Sequence, residues 1–290
     1  MLKDPRSAGP RPPFPMQQQS PPGETAKLDP APDHGEQSYR GADRLKGCVA
    51  LVTGADSGIG RAIAIAFARE GADVAISYLS EHADAKETAD WVRKAGRRTV
   101  LLAGDLAEER HCAELVEKTV AELGRLDILV NNAGFQRTHE KLWDFSAEEI
   151  ERTFRTNIQS MFHLAKAAAR HMKPGASIIN TASIQADKPS PSLLAYAATK
   201  GAIANFTAGL AQLIAKDGIR VNAVAPGPVW TPLIPSTMPR ERASKFGSDS
   251  PLGRPAQPAE LAPAYVFLAS DEATYISGAV LPVTGGKPFL

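Results

Sequence analysis

Residues 48–71, "CVALVTGADSGIGRAIAIAFAREG", predict how this chain folds. The stretch opens on apolar, partly β-branched residues, as a buried strand does. It continues with apolar side chains at a period near 3.6, as an amphipathic helix does, and Gly71 closes that helix. Between the two parts lies a turn that contains Gly54, Gly58 and Gly60. A strand, a glycine turn and a helix in this order predict the first unit of a parallel α/β sheet.

The rest of the chain repeats this alternation of short apolar runs and helical stretches. Most of the runs are apolar enough to be buried on both faces, which is typical of a parallel sheet. We therefore predict an α/β, doubly wound Rossmann fold: a seven-stranded, mainly parallel sheet with helices on both faces, as one domain over residues 44–290. The expected strands are "CVALVTG", "DVAISYL", "TVLLAGDL", "LDILVNNAG", "ASIINTAS", "IRVNAVAPG" and "AVLPVTGG".

Residues 1–43 differ in composition from the rest, because they are crowded with proline, glutamine and glycine and poor in aliphatic residues. Such a segment cannot build a core of its own, so we expect an extended, proline-rich N-terminal arm. Two interpretations stay open. The arm lies loosely on the surface, or it packs against a neighbouring subunit, since proline lowers the entropy that an extended segment loses on docking.

The composition argues against several classes of function. The chain has 33 Lys and Arg against 32 Asp and Glu, so no basic field attracts nucleic acid. Its two cysteines and six histidines have no metal-ligand spacing, so neither a metal site nor a disulfide framework is expected. No apolar run is long enough to span a membrane and the N-terminus lacks a signal peptide, which favours a cytoplasmic protein without a membrane partner.

The glycine turn "TGADSGIG", residues 53–60, indicates where a phosphate-bearing ligand binds. Gly54 permits a tight turn, Gly58 lets the backbone approach a pyrophosphate, and Gly60 allows close contact between helix and strand. The phosphates then face the helix N-terminus. Glycine turns also occur for purely structural reasons, so this turn alone does not define the function.

Tyr196 and Lys200 lie four residues apart in "AYAATKGAIANF", which places both side chains on one face of a helix. A nearby ammonium group favours the phenolate form of a tyrosine, whose ordinary pKa is about 10. The pair is therefore suited to proton exchange near neutral pH. The same spacing also arises by chance in purely structural helices.

Further motifs follow in a characteristic order: TGxxxGIG at residues 53–60, "NNAG" at 131–134, Asn157, Ser183, Tyr-x-x-x-Lys at 196–200 and "PGPVWTP" at 226–232. Together they resemble the short-chain dehydrogenase/reductase family over about residues 45–290. Within it the chain is most similar to a bacterial subgroup of general stress and uncharacterised oxidoreductases that have a proline-rich arm. The three residues between the first two glycines, where the commoner dinucleotide fingerprint has one, are a feature of this family.

The resemblance implies an NAD(P)-dependent oxidoreductase that interconverts an alcohol and a carbonyl. Tyr196 is the implied general acid and base, and Lys200 lowers its pKa and binds the nicotinamide ribose. Ser183 holds the substrate oxygen, and Asn157 anchors a water that links Lys200 to solvent. Each polar residue has a structural alternative, since a serine at a strand end often forms a turn and an asparagine in a helix often satisfies backbone groups.

The resemblance also places cofactor contacts at the ends of the strands. Asp105 is expected beside the adenine amino group, unless it only caps a helix, and Thr231 beside the nicotinamide carboxamide. The expected cofactor-binding set is Gly54, Asp56, Ser57, Gly58, Ile59, Gly60, Tyr78, Asp105, Leu106, Asn132, Ala133, Gly134, Tyr196, Lys200, Pro226, Gly227, Val229 and Thr231.

The end of the second expected strand bears on the choice between NAD(H) and NADP(H). Tyr78 stands where an acidic residue commonly binds the ribose 2′-hydroxyl, so the acidic residue that usually recognises NAD(H) is missing. No Lys or Arg stands at Ser57 or beside Tyr78 to bind a 2′-phosphate. Asp56 tilts the choice towards NAD(H), because a carboxylate opposes a phosphate, although use of both cofactors stays open.

The resemblance places a substrate lid at about residues 231–258, which are otherwise a long surface loop. Gln185 and Trp230 are expected in the wall of the substrate site. The partner is a small alcohol or carbonyl that the sequence does not identify: a sugar-like polyol, a small aldehyde or a 3-oxoacyl thioester. Relatives usually form homotetramers through the helices that carry Asn157 and Tyr196, so a homotetramer is expected.

Two other functions use the same fold. Epimerases and dehydratases usually have other glycine spacings and longer C-terminal regions, which this chain lacks. A catalytically silent NAD(P)-binding sensor commonly loses the tyrosine or the lysine, whereas Tyr196 and Lys200 are both present here. The oxidoreductase is therefore the favoured prediction.

Overall fold

A computed structural model describes residues 4–289 of the chain. Its strands are β1 Val49–Thr53, β2 Asp73–Tyr78, β3 Thr99–Ala103, β4 Ile128–Asn131, β5 Ser177–Thr181, β6 Arg220–Pro226 and β7 Val280–Val283. They form one sheet in the order β3-β2-β1-β4-β5-β6-β7, and each neighbouring pair is parallel. The predicted Rossmann fold is confirmed, with a sheet that is wholly rather than mainly parallel.

Helices connect successive strands and cover both faces of the sheet. They are α1 Gly58–Arg69, α2 His82–Lys94, α3 Glu109–Leu123, α4 Ala147–Phe154, α5 Ser160–Ala168, α6 Leu194–Ile214, α7 Leu233–Thr237, α8 Arg240–Ser244 and α9 Ala262–Ala269. One π-helical turn, Arg155–Gln159, joins α4 to α5. Within residues 4–289, no helix is long and apolar enough to cross a membrane.

The core has two layers because successive side chains of a strand point to opposite faces. In β1, Ala50 and Val52 pack into the layer that α1, α2 and α9 cover. Val49 and Leu51 pack into the other layer, under α3, α5 and α6. A strand that is buried on both faces must be apolar throughout, which explains why β1 reads as a continuous apolar run.

The helix α1 begins within the glycine turn, at Gly58, and lies unusually close to β1. A Cβ atom on Gly60 would stand 1.9 Å from the Gly54 carbonyl oxygen, so only glycine permits this packing. Just beyond the helix end, Gly71 has a φ of +94°, a left-handed conformation that side chains other than glycine disfavour. The sequence signals at both ends of α1 are confirmed.

The strand order reverses between β1 and β4, which are neighbours although β2 and β3 intervene in the sequence. In open α/β sheets, a crevice forms at such a switch point beyond the carboxyl ends of the strands. The glycine turn, the end of β4 and the loops after β2 and β3 therefore surround one cleft.

The arm is extended, but it packs on its own chain rather than lying loosely on the surface. Phe14 and Leu28 are each 5% exposed and join an apolar cluster with Trp230, Ile234 and Met238. The composition suggested no core-forming residues in the arm, but these two side chains fill a core that other segments provide. Packing of the arm against a neighbouring subunit stays a prediction.

Candidate active site

Two adjoining cavities open at the carboxyl ends of the strands. The first, of about 230 Å³, extends from the glycine turn past the ends of β2 and β3 to Lys200. The second, of about 410 Å³, lies between Ser183 and the expected lid. The two cavities meet at five residues that line both: Ile59, Thr181, Tyr196, Thr231 and Leu233.

Most of the site residues expected from the sequence line one of these cavities. Gly60 and Asn157 line neither cavity. Gly60 packs closely against Gly54, and Asn157 forms hydrogen bonds behind the cavity wall. The first cavity brings together Gly54, Asp56, Ser57, Gly58, Ile59, Tyr78, Asp105, Leu106, Asn132, Ala133, Gly134, Tyr196, Lys200 and Thr231. The second brings together Ser183, Tyr196, Pro226, Gly227, Val229 and Thr231.

The glycine turn forms a cradle that side chains would fill. Gly58 has a φ of +51°, and a Cβ atom there would stand 3.1 Å from Thr231 Cγ2. The Ser57 side chain makes no capping hydrogen bond to α1, so the first-turn N–H groups of this helix stay available to a ligand. A phosphate suits such a helix N-terminus.

Two buried hydroxyl groups in the first cavity lack a hydrogen-bond partner among the described residues: Ser77 Oγ and Thr156 Oγ1. Buried polar groups in folded proteins are ordinarily hydrogen-bonded, so such atoms point to a polar ligand. A dinucleotide, with its ribose, phosphate and amide groups, fits this cavity.

The loop after β4 is fastened to the glycine turn by side-chain hydrogen bonds. Thr53 Oγ1 accepts from the backbone N–H of Asn132 at 2.9 Å and of Ala133 at 3.1 Å. Asn132 Nδ2 donates to the carbonyl oxygens of Thr53 at 3.0 Å and Gly54 at 3.2 Å. The "NNAG" motif therefore holds the two sides of the switch point at a constant separation.

Asp105, at the far end of the first cavity, forms an ion pair with Arg152 of α4. The other carboxylate oxygen of Asp105 accepts from the Ala107 N–H at 2.9 Å, within the same loop. The residue directly before α3 is Glu108, not Asp105. Burial opposes ionisation of Asp105, but the hydrogen bonds from Arg152 and from the Ala107 N–H, with the positive charge of Arg152, together outweigh it and lower the pKa of the carboxyl. The alternative of a helix cap does not describe this position.

The end of β2 is acidic rather than basic. Asp56 and Glu81 line the cavity there with Tyr78, whose hydroxyl is 2.9 Å from His82 Nδ1. Burial raises the pKa of Asp56 to about 6, so the carboxylate is charged at neutral pH. Arg61, the nearest arginine in the sequence, is buried and donates to the Asp56 carbonyl oxygen at 2.8 Å instead of facing the cavity.

Tyr196 and Lys200 lie on successive turns of α6, as their spacing predicts. Lys200 is 2% exposed, and its Nζ donates to the Thr181 carbonyl oxygen at 2.7 Å. The same Nζ lies 5.2 Å from the centre of the Tyr196 ring. Tyr196 is partly exposed and lines both cavities, whereas the buried Lys200 lines only the first.

The pKa of Tyr196 moves in the direction opposite to the one expected from the lysine. Burial raises it to about 12, although the Ser183 hydroxyl offsets part of the shift. Burial also lowers the pKa of Lys200 to about 7, so this amine is only partly charged at neutral pH. In this structure burial dominates the pKa of both groups, because both lose solvation together. That Lys200 lowers the pKa of Tyr196 stays a prediction.

Ser183 follows β5, where its side chain forms a turn and still lines a cavity. Its Oγ accepts from the Gln185 N–H at 3.1 Å and thereby begins a short 3₁₀ turn. The residue also lines the second cavity next to Tyr196. The turn and the substrate contact were alternatives in the sequence, but the geometry is compatible with both.

Asn157 lies in the π-helical turn between α4 and α5 and is fully buried. Its amide accepts from the Phe135 N–H at 2.7 Å and donates to the Phe135 carbonyl oxygen at 2.9 Å. It also donates to Thr199 Oγ1 at 3.1 Å, next to Lys200 in α6. The side chain thus satisfies backbone groups of another loop, not of its own helix.

The second cavity has a mixed wall that includes Gln185, as expected. Its lid side is formed largely by Ile234 and Met238 of the segment 231–258, with Arg242 and Lys245 at the rim. The prediction that Trp230 lines this cavity is wrong. The residue is fully buried, and its indole N–H donates to the Pro30 carbonyl oxygen of the arm at 2.8 Å.

Several cavity residues were not anticipated from the sequence. Arg152 lies in a strongly charged helical stretch, "AEEIERTF", where one arginine has no distinguishing signal. Pro22 comes from the arm and lines the first cavity beside Pro232. Glu81 could have been found, because it closely follows the end of β2. Among residues 4–289, no cluster of His, Cys, Asp and Glu could hold a metal ion.

Comparison with known proteins agrees with this geometry. The family model described as enoyl-(acyl carrier protein) reductase matches residues 54–287. General stress protein 39 of Bacillus subtilis is 55% identical over 275 residues, 94% of this chain and 96% of that protein. A glucose and ribitol dehydrogenase of Daucus carota is 48% identical over 278 residues, 94% of this chain and 96% of that protein.

Solved structures share the fold as well. A short-chain dehydrogenase from Burkholderia cenocepacia in complex with NADP is 34% identical, with a TM-score of 0.79 over 84% of this chain and 98% of that one. A 3-ketoacyl-(acyl-carrier-protein) reductase from Brucella melitensis complexed with NADH is 35% identical, with a TM-score of 0.76 over 83% and 98%. This chain therefore belongs to the short-chain dehydrogenase/reductase family of oxidoreductases.

Proposed function

We propose that the protein is an NAD(P)-dependent alcohol dehydrogenase or carbonyl reductase with Tyr196 as its general acid and base. The observation that carries the proposal is the position of the Tyr196 side chain where the two cavities meet. A group at this junction can reach a ligand in either cavity. Ser183 and Lys200 lie on its two sides, one in each cavity.

The first cavity would hold the cofactor, which supplies or accepts a hydride when bound. The first turn of α1 and the cradle at Gly58 would bind its phosphates. Ser77 and Thr156 offer it unpartnered hydroxyls, and Asp105 stands at the far end, beside the expected adenine. The chain's own part is to orient this ligand towards the second cavity.

The protonation of the catalytic groups supports carbonyl reduction near neutral pH. A tyrosine with a pKa of about 12 is protonated there and can donate its phenolic proton to a carbonyl oxygen that Ser183 holds. Lys200, with a pKa of about 7, lies close enough to help restore that proton. In the oxidative direction Tyr196 must first lose its proton, so oxidation is expected to be faster at alkaline pH.

The acidic end of β2 supports a preference for NAD(H). Asp56 and Glu81 both line the cavity next to Tyr78, and no lysine or arginine faces it there among the described residues. A 2′-phosphate would meet carboxylates rather than cations. The solved relatives named above are complexed with NADP in one case and NADH in the other, so the family permits either cofactor.

The second cavity suits a small polar substrate. Ser183 and Gln185 line its floor, and Arg242 and Lys245 its rim, while Ile234 and Met238 close the lid side. Hydroxyl groups can donate to or accept from such a wall. We propose a sugar-like polyol or a small hydroxylated aldehyde, in keeping with the name of the Daucus carota relative.

Turnover of the Tyr196→Phe variant tests the proposed function. NADH or NADPH is mixed with a panel of aldehydes, ketones and sugars, and loss of cofactor absorbance is followed. The variant is expected to bind cofactor and to lose about 10²- to 10⁴-fold in kcat, because it retains the ring but has no proton to exchange. Tyr275→Phe, the same change at a fully exposed tyrosine, is the matched control and should be unaffected.

Two outcomes would contradict the proposal. A fully active Tyr196→Phe enzyme would remove Tyr196 from the mechanism. Cofactor binding without turnover on any member of a broad panel would instead favour the catalytically silent sensor.

A further inference from the structure

The arm crosses the lid and shares its core with it. Phe14 packs against Trp230 with ring centroids 4.4 Å apart, just before the lid begins. The same apolar cluster contains Ile234 and Met238 of the lid, and Tyr196 packs against it. The arm, the lid and the catalytic tyrosine therefore belong to one packing unit.

Hydrogen bonds attach the arm to both short helices of the lid. The Phe14 N–H donates to the Ser244 carbonyl oxygen at 2.8 Å, and Ser244 Oγ donates to the Phe14 carbonyl oxygen at 2.7 Å, which fixes α8. The Gln19 N–H donates to the Pro235 carbonyl oxygen at 2.9 Å, and Ser236 Oγ donates to the Pro22 carbonyl oxygen at 3.3 Å, which fixes α7.

On either side of these contacts the arm is anchored to the body of the domain. Near its beginning, the Pro5 carbonyl oxygen accepts from Arg254 at 2.7 and 2.9 Å. Arg254 lies at the end of the lid segment, but it is buried and paired at 2.7 Å with Glu260 of the body. After the lid, the Thr25 N–H donates to Asp84 of α2 at 2.8 Å. A segment anchored at both ends and bonded in the middle to a lid holds that lid down.

The same segment touches the cofactor cavity. Pro22 lines the first cavity beside Pro232 and Leu233, the residues at which the lid starts. The contact is close, since a Cβ atom on the neighbouring Gly23 would stand 2.7 Å from the Pro232 carbonyl oxygen. Movement of the arm would therefore change the shape of the cleft as well as the freedom of the lid.

We propose that residues 14–30 form a strap that keeps the lid closed over the active site, with Phe14 as its principal positioning residue. Releasing the strap lets the lid sample open states that bind substrate poorly. The apparent affinity for substrate falls in proportion to the population of the closed state, whereas the chemistry of the closed state is unchanged. Only this effect on substrate affinity rests on the proposed function; closure of the lid itself does not.

The test compares Phe14→Ala with Tyr39→Ala in the full chain. Both variants remove an aromatic ring from the arm, but Tyr39 contacts the body at Glu70 and not the lid. Limited trypsin digestion is followed at lid sites Arg240, Arg242 and Lys245, well below the melting temperature of each variant. Cleavage there should be about tenfold faster in Phe14→Ala and close to wild type in Tyr39→Ala, because cleavage follows local opening.

Steady-state kinetics supply the second readout. Phe14→Ala should raise KM for substrate about tenfold and leave kcat within about twofold, whereas a merely structural residue lowers the melting temperature without this split. If Phe14→Ala does not fold, Ser244→Ala, which deletes one hydrogen bond between α8 and the arm, should show smaller changes in the same direction.

Unchanged lid cleavage in the Phe14→Ala and Ser244→Ala variants, or an equal increase in Tyr39→Ala, would overturn the strap even if the enzyme turns over. Faster lid cleavage in a protein that turns over no substrate would uphold the strap and count against the proposed function.

Discussion

Lys200 holds its amino group in a buried position, where the Thr181 carbonyl oxygen accepts its hydrogen bond at 2.7 Å. One neutral acceptor does not replace the water that an ammonium group loses, so the pKa of Lys200 falls to about 7. The residue is thus suited to exchange protons at neutral pH, and it also makes the stability of the fold dependent on pH.

Lys200→Met should reveal this dependence. The unfolded chain keeps the lysine proton up to about pH 10.5, whereas the folded chain releases it near pH 7. Within this window the unfolded chain binds more protons than the folded chain, so raising the pH disfavours the unfolded state and the wild-type protein gains stability relative to the variant. Urea unfolding of both proteins at intervals from pH 7 to 10 measures the difference, and a constant difference would contradict the lowered pKa.

Asp56→Asn should weaken discrimination against NADPH. Removing the carboxylate charge is expected to raise the ratio of kcat/KM for NADPH over NADH about tenfold at pH 8, since a 2′-phosphate no longer faces it. Asp105→Asn, at the other end of the cavity, should affect both cofactors equally. In the wild type the preference should fade below about pH 6, as Asp56 takes up its proton. An unchanged ratio in Asp56→Asn would assign the choice of cofactor to other groups.

At the scale of elements, the site depends on how closely α1 approaches β1. Gly60 allows this approach, because any Cβ atom would meet the Gly54 carbonyl oxygen at 1.9 Å. The first turn of α1 and the loop after β4 both depend on this contact, since Asn132 donates to the same carbonyl oxygen.

Gly60→Ala should separate the helix from the strand and cost about 1–3 kcal/mol of unfolding free energy, as overpacking does. Cofactor binding should weaken with it. Gly201→Ala is the matched control: that glycine lies in α6, and a Cβ atom there would be 3.9 Å from the nearest other atom, so alanine should be neutral or stabilising. Chemical unfolding and cofactor titration measure both effects, and equal stability of the two variants would contradict the packing argument.

The α4–α5 junction also combines structure with function. Its π-helical turn brings Asn157 to the backbone of Phe135 and to Thr199, which is next to Lys200 in α6. Asn157 therefore joins three elements around the active site. Its role as anchor of a water molecule stays a prediction.

For the whole molecule, the predicted homotetramer agrees with apolar side chains left exposed on the outer helices. Phe162 of α5 is 55% exposed, and Leu213 of α6 is 69% exposed. They lie on the two helices that the predicted interface uses, and a contiguous apolar patch there would mark an interface. We expect light scattering to give four times the chain mass of 30.8 kDa.

Leu213→Glu should shift the protein towards smaller species, because it places charge in the proposed contact. Leu142→Glu, at an exposed leucine between β4 and α4, is the matched control and should leave the assembly intact. A monomeric wild type would contradict the predicted tetramer.

The sequence alone determined the order of the strands and helices, the glycine turn and the shared helical face of Tyr196 and Lys200. These features depend on residues close together in the chain, where apolar period, glycine and spacing are direct signals. Most of the site residues that the motifs identified line one of the two cavities. Such local signals do not depend on how distant segments meet.

Only the tertiary structure decided the rest, because it depends on contacts between distant segments. Burial raises the pKa of Tyr196, and that burial includes packing against an apolar cluster of lid and arm residues that no local pattern encodes. Arg152 reaches Asp105 across 47 positions of sequence. The arm is poor in apolar residues, but Phe14 and Leu28 are buried against apolar residues of the lid. Composition predicts that a segment cannot fold alone, but not that another segment will bury it.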